Sequence, residues 1–278
     1  MTDVDAVIEL ARAAGAAILD VYQRDDLGES RKEDDSPLTE ADLAAHGVLV
    51  AGLTRLAPEV PVLSEEAELP DWATRSGWRR YWLIDPLDGT KEFLRRNGEF
   101  TVNIALIEGG VPVLGVVSVP VLGIIYAGVR GTGAWRIDGD GRTPIRTRAM
   151  GGRGTADAPV TVVASRSHGA DTVNQWLEAV SSRVGLVETR NMGSSLKLCL
   201  VADGSADIYP RLAPTAEWDT AAAQAVVEAA GGEVLTADLR TMRYNTKAEL
   251  LNPHFYVIGD PGYPWREVLA GNGQPVEH

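Results

Sequence analysis

The sequence predicts an α/β fold, on three observations. Apolar residues near the start recur at helical spacing, the middle of the chain holds two β-rich runs joined by Gly109-Gly110, and the second half alternates strand-like with helix-like segments. The chain has 278 residues, 45% of them hydrophobic, which suits one large domain or two closely packed halves with a real core.

Taken in order, Val4, Val7, Ile8, Ala11, Ala14, Ile18 and Val21 make one face of a first amphipathic helix. A charged loop covers 24–36. A second helix is expected over 39–56, opened by Thr39-x-x-Asp42, a capping-box pattern, and ended by Ala57-Pro58. A short strand over 60–63 runs into Ser64-Glu65-Glu66. Another apolar strand, 80–84, is expected to stop at Asp85-Pro86. Residues 100–107 and 111–119 read as a hairpin around the glycine pair, and 122–137 adds further short strands. Gly-rich 151–157 is the best candidate for a join between halves. Beyond it, strands are expected over 160–164, 183–188, 206–210 and 232–236, with helices over 170–180, 194–203 and 218–230. The expected division is 1–155, an α+β half, and 156–278, an α/β half.

The formal net charge of -13 argues against nonspecific nucleic-acid binding, which needs a basic surface. An anionic substrate would require bound cations, or clustered Lys and Arg, to reverse the field locally. Cys199 is the single cysteine and cannot form an internal disulfide. A reducing cytosol suits it, and its apolar surroundings suggest a buried structural thiol. Acidic residues at 3, 5, 9 and 20 rule out a clean signal sequence, and no run of 18 apolar residues suggests a membrane span.

The chemistry concentrates in Trp82-Leu83-Ile84-Asp85-Pro86-Leu87-Asp88-Gly89-Thr90. An apolar strand ends at one carboxylate, a second follows three residues on, and a glycine lets the backbone turn into a helix start. Two carboxylates on such a turn can share hard cations, and the N–H groups at the helix start can receive a phosphate. Taken singly, Asp-Pro and Asp-Gly are ordinary turn pairs, Thr90 could be a helix cap, and Ser64-Glu65-Glu66 a solvated turn. Glu217-Trp218-Asp219 could be acids favoured at a helix N-terminus. Together, and in this order, they are much harder to explain that way. Every proposed ligand is oxygen, which points to Mg²⁺. His46, His168, His254 and His278 have no zinc-like spacing.

Asp85-Pro86-Leu87-Asp88-Gly89-Thr90 and Trp218-Asp219-Thr220-Ala221-Ala222 resemble the signatures of the inositol monophosphatase superfamily. Asp35-Ser36-Pro37-Leu38-Thr39, Leu63-Ser64-Glu65-Glu66, and the run from Lys91 through Asn97-Gly98-Glu99-Phe100-Thr101-Val102-Asn103 to Ile107 narrow the resemblance. So do Ser165-Arg166-Ser167-His168, Gly193-Ser194-Ser195-Leu196-Lys197 and Tyr209-Pro210-Arg211. These are similar to the CysQ-type 3'(2'),5'-bisphosphate nucleotidases within that superfamily. The resemblance implies a layered α-β-α-β-α sandwich of the inositol monophosphatase and sugar phosphatase type. It implies two or three Mg²⁺ per site, held by Glu65, Asp85, the Leu87 carbonyl, Asp88 and Asp219. It implies that Asp88, Gly89 and Thr90 bind the phosphate being cleaved, with Leu87 and Asp219 beside it. Thr90, paired with Asp42, would help Glu65 polarise the attacking water. His168, Ser194, Lys197 and Arg211 would bind the nucleotide.

The implied activity is removal of the 3'-phosphate from adenosine 3',5'-bisphosphate, with 3'-phosphoadenosine 5'-phosphosulfate as a further substrate. Li⁺ inhibition, a role in sulfur assimilation and a cytoplasmic location go with it. A homodimer and peripheral association with the inner membrane stay open. Glu217 stands before Trp218, near a point where inositol phosphatases use an acid to hold a hydroxyl, so an inositol-type specificity would enter there. The alternatives are an inositol or sugar phosphatase with the same metal core, and a non-catalytic phosphate-binding regulator.

Overall fold

A computed structural model describes residues 3–31, 37–165 and 170–270. Among them, a seven-stranded sheet runs in chain order from Val62–Ser64 to Gly141–Ile145. Its first two strands are parallel, and every later neighbour is antiparallel. A five-stranded sheet has the order Val187–Met192, Val160–Ser165, Ile208–Arg211, Phe255–Ile258, Glu233–Thr236.

The strands place alternate side chains on opposite faces, and this alternation builds the layers. Trp82 and Ile84 of strand Arg80–Asp88 pack with Val7, Ile18, Leu49 and Leu53 of the two N-terminal helices. Tyr81 and Leu83 face the other way, into a core shared with the helices Leu196–Ala202 and Ala221–Ala230. Val257 and Tyr209 of the five-stranded sheet close that core from the far side. On the outer face of this second sheet, Tyr256 and Ile258 meet Trp176 and Val180 of helix Ala170–Val184 and Trp265 of the last helix. The result is the expected α-β-α-β-α sandwich. The central helix Ala221–Ala230 lies unusually close to the first sheet. A Cβ on Gly115 or Gly128 would collide with its backbone at Ala222 or Val226.

Several boundaries differ from the sequence reading. The charged loop contains a two-residue strand, Ser30–Arg31, paired with Pro37–Leu38. Strand Arg80–Asp88 does not stop at Pro86. It passes through an irregularity between Asp85 and Asp88, the kind of position where a sheet tolerates proline. The helix expected over 170–180 runs on to Val184. Trp176, Val180 and Val184 keep the four-residue spacing, and Gly185 ends it at φ 85. The following strand is therefore Val187–Met192 rather than 183–188. The segment expected as one helix over 218–230 is a 3-10 turn, Glu217–Asp219, followed by Ala221–Ala230. Trp72–Arg75, Gly141–Ile145, Phe255–Ile258 and Trp265–Leu269 had no counterpart in the sequence reading.

Candidate active site

A turn, a strand and a 3-10 helix bring carboxylates to one point. Glu65 follows directly on strand Val62–Ser64, and its N–H donates to the Ile84 carbonyl at 3.3 Å. Asp85 lies in the neighbouring strand, 1% exposed, and accepts the Leu87 N–H at 3.0 Å. Asp219 closes the 3-10 turn and accepts the Ala216 N–H at 2.9 Å. One oxygen from each of the three lies within 4.8 Å of the other two. Asp88 stands at the end of its strand and accepts the Ser195 N–H at 2.5 Å.

The electrostatics of this cluster are unfavourable without a counter-charge. Burial, then the charges of Glu65, Asp88, Asp219 and Asp42, push Asp85 well above the usual carboxylate range. Asp219 is raised by burial and by Asp88 and Glu65, against the Ala216 N–H and Arg211. Asp88 is raised by burial, but Lys197 and the Ser195 N–H hold it down. Buried acids that raise one another in this way, all offering oxygen, fit a hard divalent cation.

A single pocket gathers Glu65, Asp88, Gly89 and Thr90 with Ser194, Lys197, Arg211 and Asp219. Gly89 adopts φ 94 and caps the short helix Thr90–Leu94, a backbone that only glycine takes without strain. Lys197 is 6% exposed. Burial lowers its pKa to about 8, with Asp88 acting against the shift. Its Nζ donates to the Ser194 carbonyl at 2.5 Å and sits 5.6 Å from the Tyr209 ring centroid. Arg211 donates through Nε to the Ala213 carbonyl at 3.0 Å and through Nη2 to that of Pro214 at 2.8 Å, which fixes its guanidinium beside the pocket.

Other sequence candidates sit elsewhere. Asp85 lies in the carboxylate cluster but does not line the pocket, and the Leu87 side chain is buried. Asp42 is 1% exposed and completes the expected capping box, its Oδ2 accepting the Thr39 N–H at 2.7 Å and the Thr39 hydroxyl at 2.6 Å. It is close enough to raise Asp85. His168 lies outside the described residues, as do Asp35 and Ser36.

The structure places Glu217 beside Asn245. Its carboxylate is 3% exposed and turns away from the pocket, taking the Asn245 N–H on both oxygens at 3.0 and 2.9 Å. Burial raises its pKa to about 7, against the Asn245 N–H and then Arg75. Arg75, itself 2% exposed, donates to Asn245 Oδ1 at 2.6 Å. Glu217 therefore staples the turn carrying Asp219 to the loop at Asn245.

Sequence reasoning gave no role to Thr101, Asn103, Ser195, Tyr209 or Glu92, all of which border the site. A signal for the first two was present: polar residues two apart in the otherwise apolar strand Thr101–Glu108.

The model of the Inositol monophosphatase family matches residues 1–272. The 3'(2'),5'-bisphosphate nucleotidase CysQ of Salmonella typhimurium is 49% identical over 256 residues, 91% of this chain and 98% of the relative. CysQ of Escherichia coli K12 is 48% identical over the same shares. Among solved structures, CysQ from Bacteroides thetaiotaomicron superposes with TM-score 0.80 at 43% identity, covering 92% of this chain and 96% of its own. The suhB protein of Bartonella henselae, at 23% identity and TM-score 0.77, shares the fold over 98% of both chains.

Proposed function

The chain belongs to the inositol monophosphatase family, and we propose that within it the protein is a Mg²⁺-dependent phosphatase removing the 3'-phosphate of adenosine 3',5'-bisphosphate. The observation that carries this reading is one pocket lined by the carboxylates Glu65, Asp88 and Asp219 together with the two buried cations Lys197 and Arg211. A substrate with two separated phosphates would meet both. Similarity to relatives named as bisphosphate nucleotidases supports the same choice.

On this reading Glu65, Asp85, Asp88, Asp219 and the Leu87 carbonyl hold two or three Mg²⁺. Bound there, the ions supply Lewis acidity toward the attacking water and the phosphoryl oxygens. Gly89 and Thr90 orient the phosphate through their N–H groups at the helix start. Glu65 orients the water, and the Thr90 hydroxyl passes its proton toward Asp42. Water oxygen bonds to phosphorus as the bond to the 3'-oxygen breaks; one water proton leaves by way of Thr90 toward Asp42 and the 3'-oxygen takes one up from solvent, giving AMP and inorganic phosphate. Lys197 and Arg211 hold the 5'-phosphate away from the carboxylates; a guanidinium can do so through two parallel hydrogen bonds. Ser194 and His168 serve the ribose side. 3'-Phosphoadenosine 5'-phosphosulfate carries the same 3'-phosphate and is a second expected substrate.

The inositol-phosphatase reading loses its particular support, because Glu217 is spent on Asn245. Among the described residues no helix is long and apolar enough to cross a membrane. A cytoplasmic location, a homodimer and peripheral attachment to the inner membrane remain parts of the proposal, checked by fractionation and sedimentation. The proposal itself is tested by product analysis. With Mg²⁺, adenosine 3',5'-bisphosphate should give AMP and phosphate, and chelation should stop the reaction. Release of adenosine 3'-phosphate, or turnover indifferent to chelation, would overturn it.

A further inference from the structure

Strand Thr101–Glu108 begins with two buried polar side chains, Thr101 and Asn103, in a stretch otherwise apolar as far as Ile107. In the antiparallel register Thr101 lies opposite Asp88, and Asn103 opposite Asp85. Being two apart, they share one face of the sheet. Thr101 is 0% and Asn103 1% exposed, and neither lines the pocket. Aliphatic residues would fill such positions without the desolvation penalty of polar groups.

Both reach the turn Gly193–Ser195 from the other half of the chain. The Ser195 hydroxyl donates to Asn103 Oδ1 at 2.7 Å, and Thr101 Oγ1 lies 2.8 Å from it. Thr101 therefore gives its one hydroxyl proton to Ser195 Oγ, and its hold on Asp88 Oδ2, 3.4 Å away and the oxygen that takes the Ser195 N–H, runs through Ser195. Asn103 Nδ2 has no hydrogen-bond partner in bonding geometry, while its Oδ1 is taken by Ser195. Gly193 ties the same turn back to the strand through Glu99 Oε2 at 2.8 Å.

The turn has a second face. Ser194 adopts φ 47, lines the pocket, and offers its carbonyl to Lys197. One short turn thus touches a metal-side carboxylate on one side and the substrate-side cation on the other.

We infer that Thr101, Asn103 and Ser195 are positioning residues that lock Asp88 to the substrate-facing turn, so that divalent-ion binding and nucleotide binding are coupled through it. The inference rests on the phosphatase reading above. A carboxylate ligand is held in one rotamer by its hydrogen-bond partners, and loss of such a partner costs about 10- to 100-fold in metal affinity. By linkage, whatever tightens Mg²⁺ when nucleotide binds must tighten nucleotide when Mg²⁺ binds.

The test is calorimetric titration of the full chain with Mg²⁺, with and without AMP. Thr101→Val keeps the shape and removes the hydroxyl, whereas Thr101→Ser keeps the hydroxyl and opens a small gap. The expected result is Mg²⁺ affinity weakened by about 10- to 100-fold in Thr101→Val, near wild type in Thr101→Ser, and loss of the AMP effect in Ser195→Ala. Equal affinities in Val and Ser variants, or a larger loss in Ser, would mean that Thr101 only fills space and would overturn the inference. If Thr101→Val does not fold, Ser195→Ala decides alone: unchanged Mg²⁺ affinity and an intact AMP effect overturn it. A wild-type chain that binds no Mg²⁺ sinks this inference and the phosphatase reading together. Wild-type binding with all variants alike sinks this inference only.

Discussion

Asp88 joins the two halves of the site, because its carboxylate meets the Ser195 N–H while its neighbours are acids. Asp88→Asn is nearly isosteric but removes a charge meant for cations. It should abolish phosphate release, a loss of several kcal/mol of barrier stabilisation. The metal-free melting temperature should hold or rise, since repulsion among buried acids is relieved. Wild-type turnover at ordinary Mg²⁺ would contradict the ligand assignment. Thr90→Ala should slow turnover about 10²-fold, the scale of lost proton-transfer assistance. Gly89, not Thr90, caps the helix Thr90–Leu94, so without a role in proton transfer the Thr90 hydroxyl could be removed with the rate left alone. Glu217→Gln should lower the melting temperature and leave KM for inositol 1-phosphate unchanged, because the carboxylate is engaged by Asn245. A selective rise in that KM would restore the hydroxyl-binding role.

At the scale of elements, helix Ala221–Ala230 is seated by small residues on both sides. Gly128→Val would push into Val226 and Ala225, and overpacking of this kind costs about 1–3 kcal/mol. Chemical denaturation should register that loss with little change in KM. The amphipathic first helix and the Gly-Gly hairpin were legible because each carries its own period or turn signal. The carboxylate loops were legible because their motifs are contiguous: Asp85 to Thr90 is one string, and Asp219 opens another. The end of helix Ala170–Val184 was misread because Val184 suits a strand as well as a helix, and packing against the second sheet decides between them. Strand Phe255–Ile258 was not read at all. It is a four-residue apolar run whose identity comes from strands Ile208–Arg211 and Glu233–Thr236 on either side. The Asn103–Ser195 bond spans 92 residues of chain, and no local pattern could have announced it. For the same reason the sequence leaves the role of Glu217 open: its partner Asn245 lies 28 residues away.

The whole molecule carries a net charge of -13, and its site concentrates acids whose folded-state pKa values lie above the unfolded ones. The folded chain therefore keeps protons that the unfolded chain has lost. Stability from these groups is full below the ordinary carboxylate value of about 4 and is lost as pH rises through the raised values. Without divalent ions, the melting temperature should fall from mildly acidic to neutral pH. Mg²⁺ should restore it at neutral pH, and Asp88→Asn should flatten the slope; a pH-independent melting temperature would contradict the crowding of these acids. The layered sandwich brings carboxylates from the end of the first sheet and Lys197 and Arg211 from beside the second to one pocket. The proposed specificity stands on that pairing. Its most direct test is kcat/KM for adenosine 3',5'-bisphosphate and for inositol 1-phosphate, in wild type and in Lys197→Ala. At saturating Mg²⁺ the wild type is predicted to prefer the bisphosphate, and the variant to lose the preference through a KM that rises mainly for that substrate. A wild type that prefers inositol 1-phosphate, or a variant that loses both substrates equally, would contradict it.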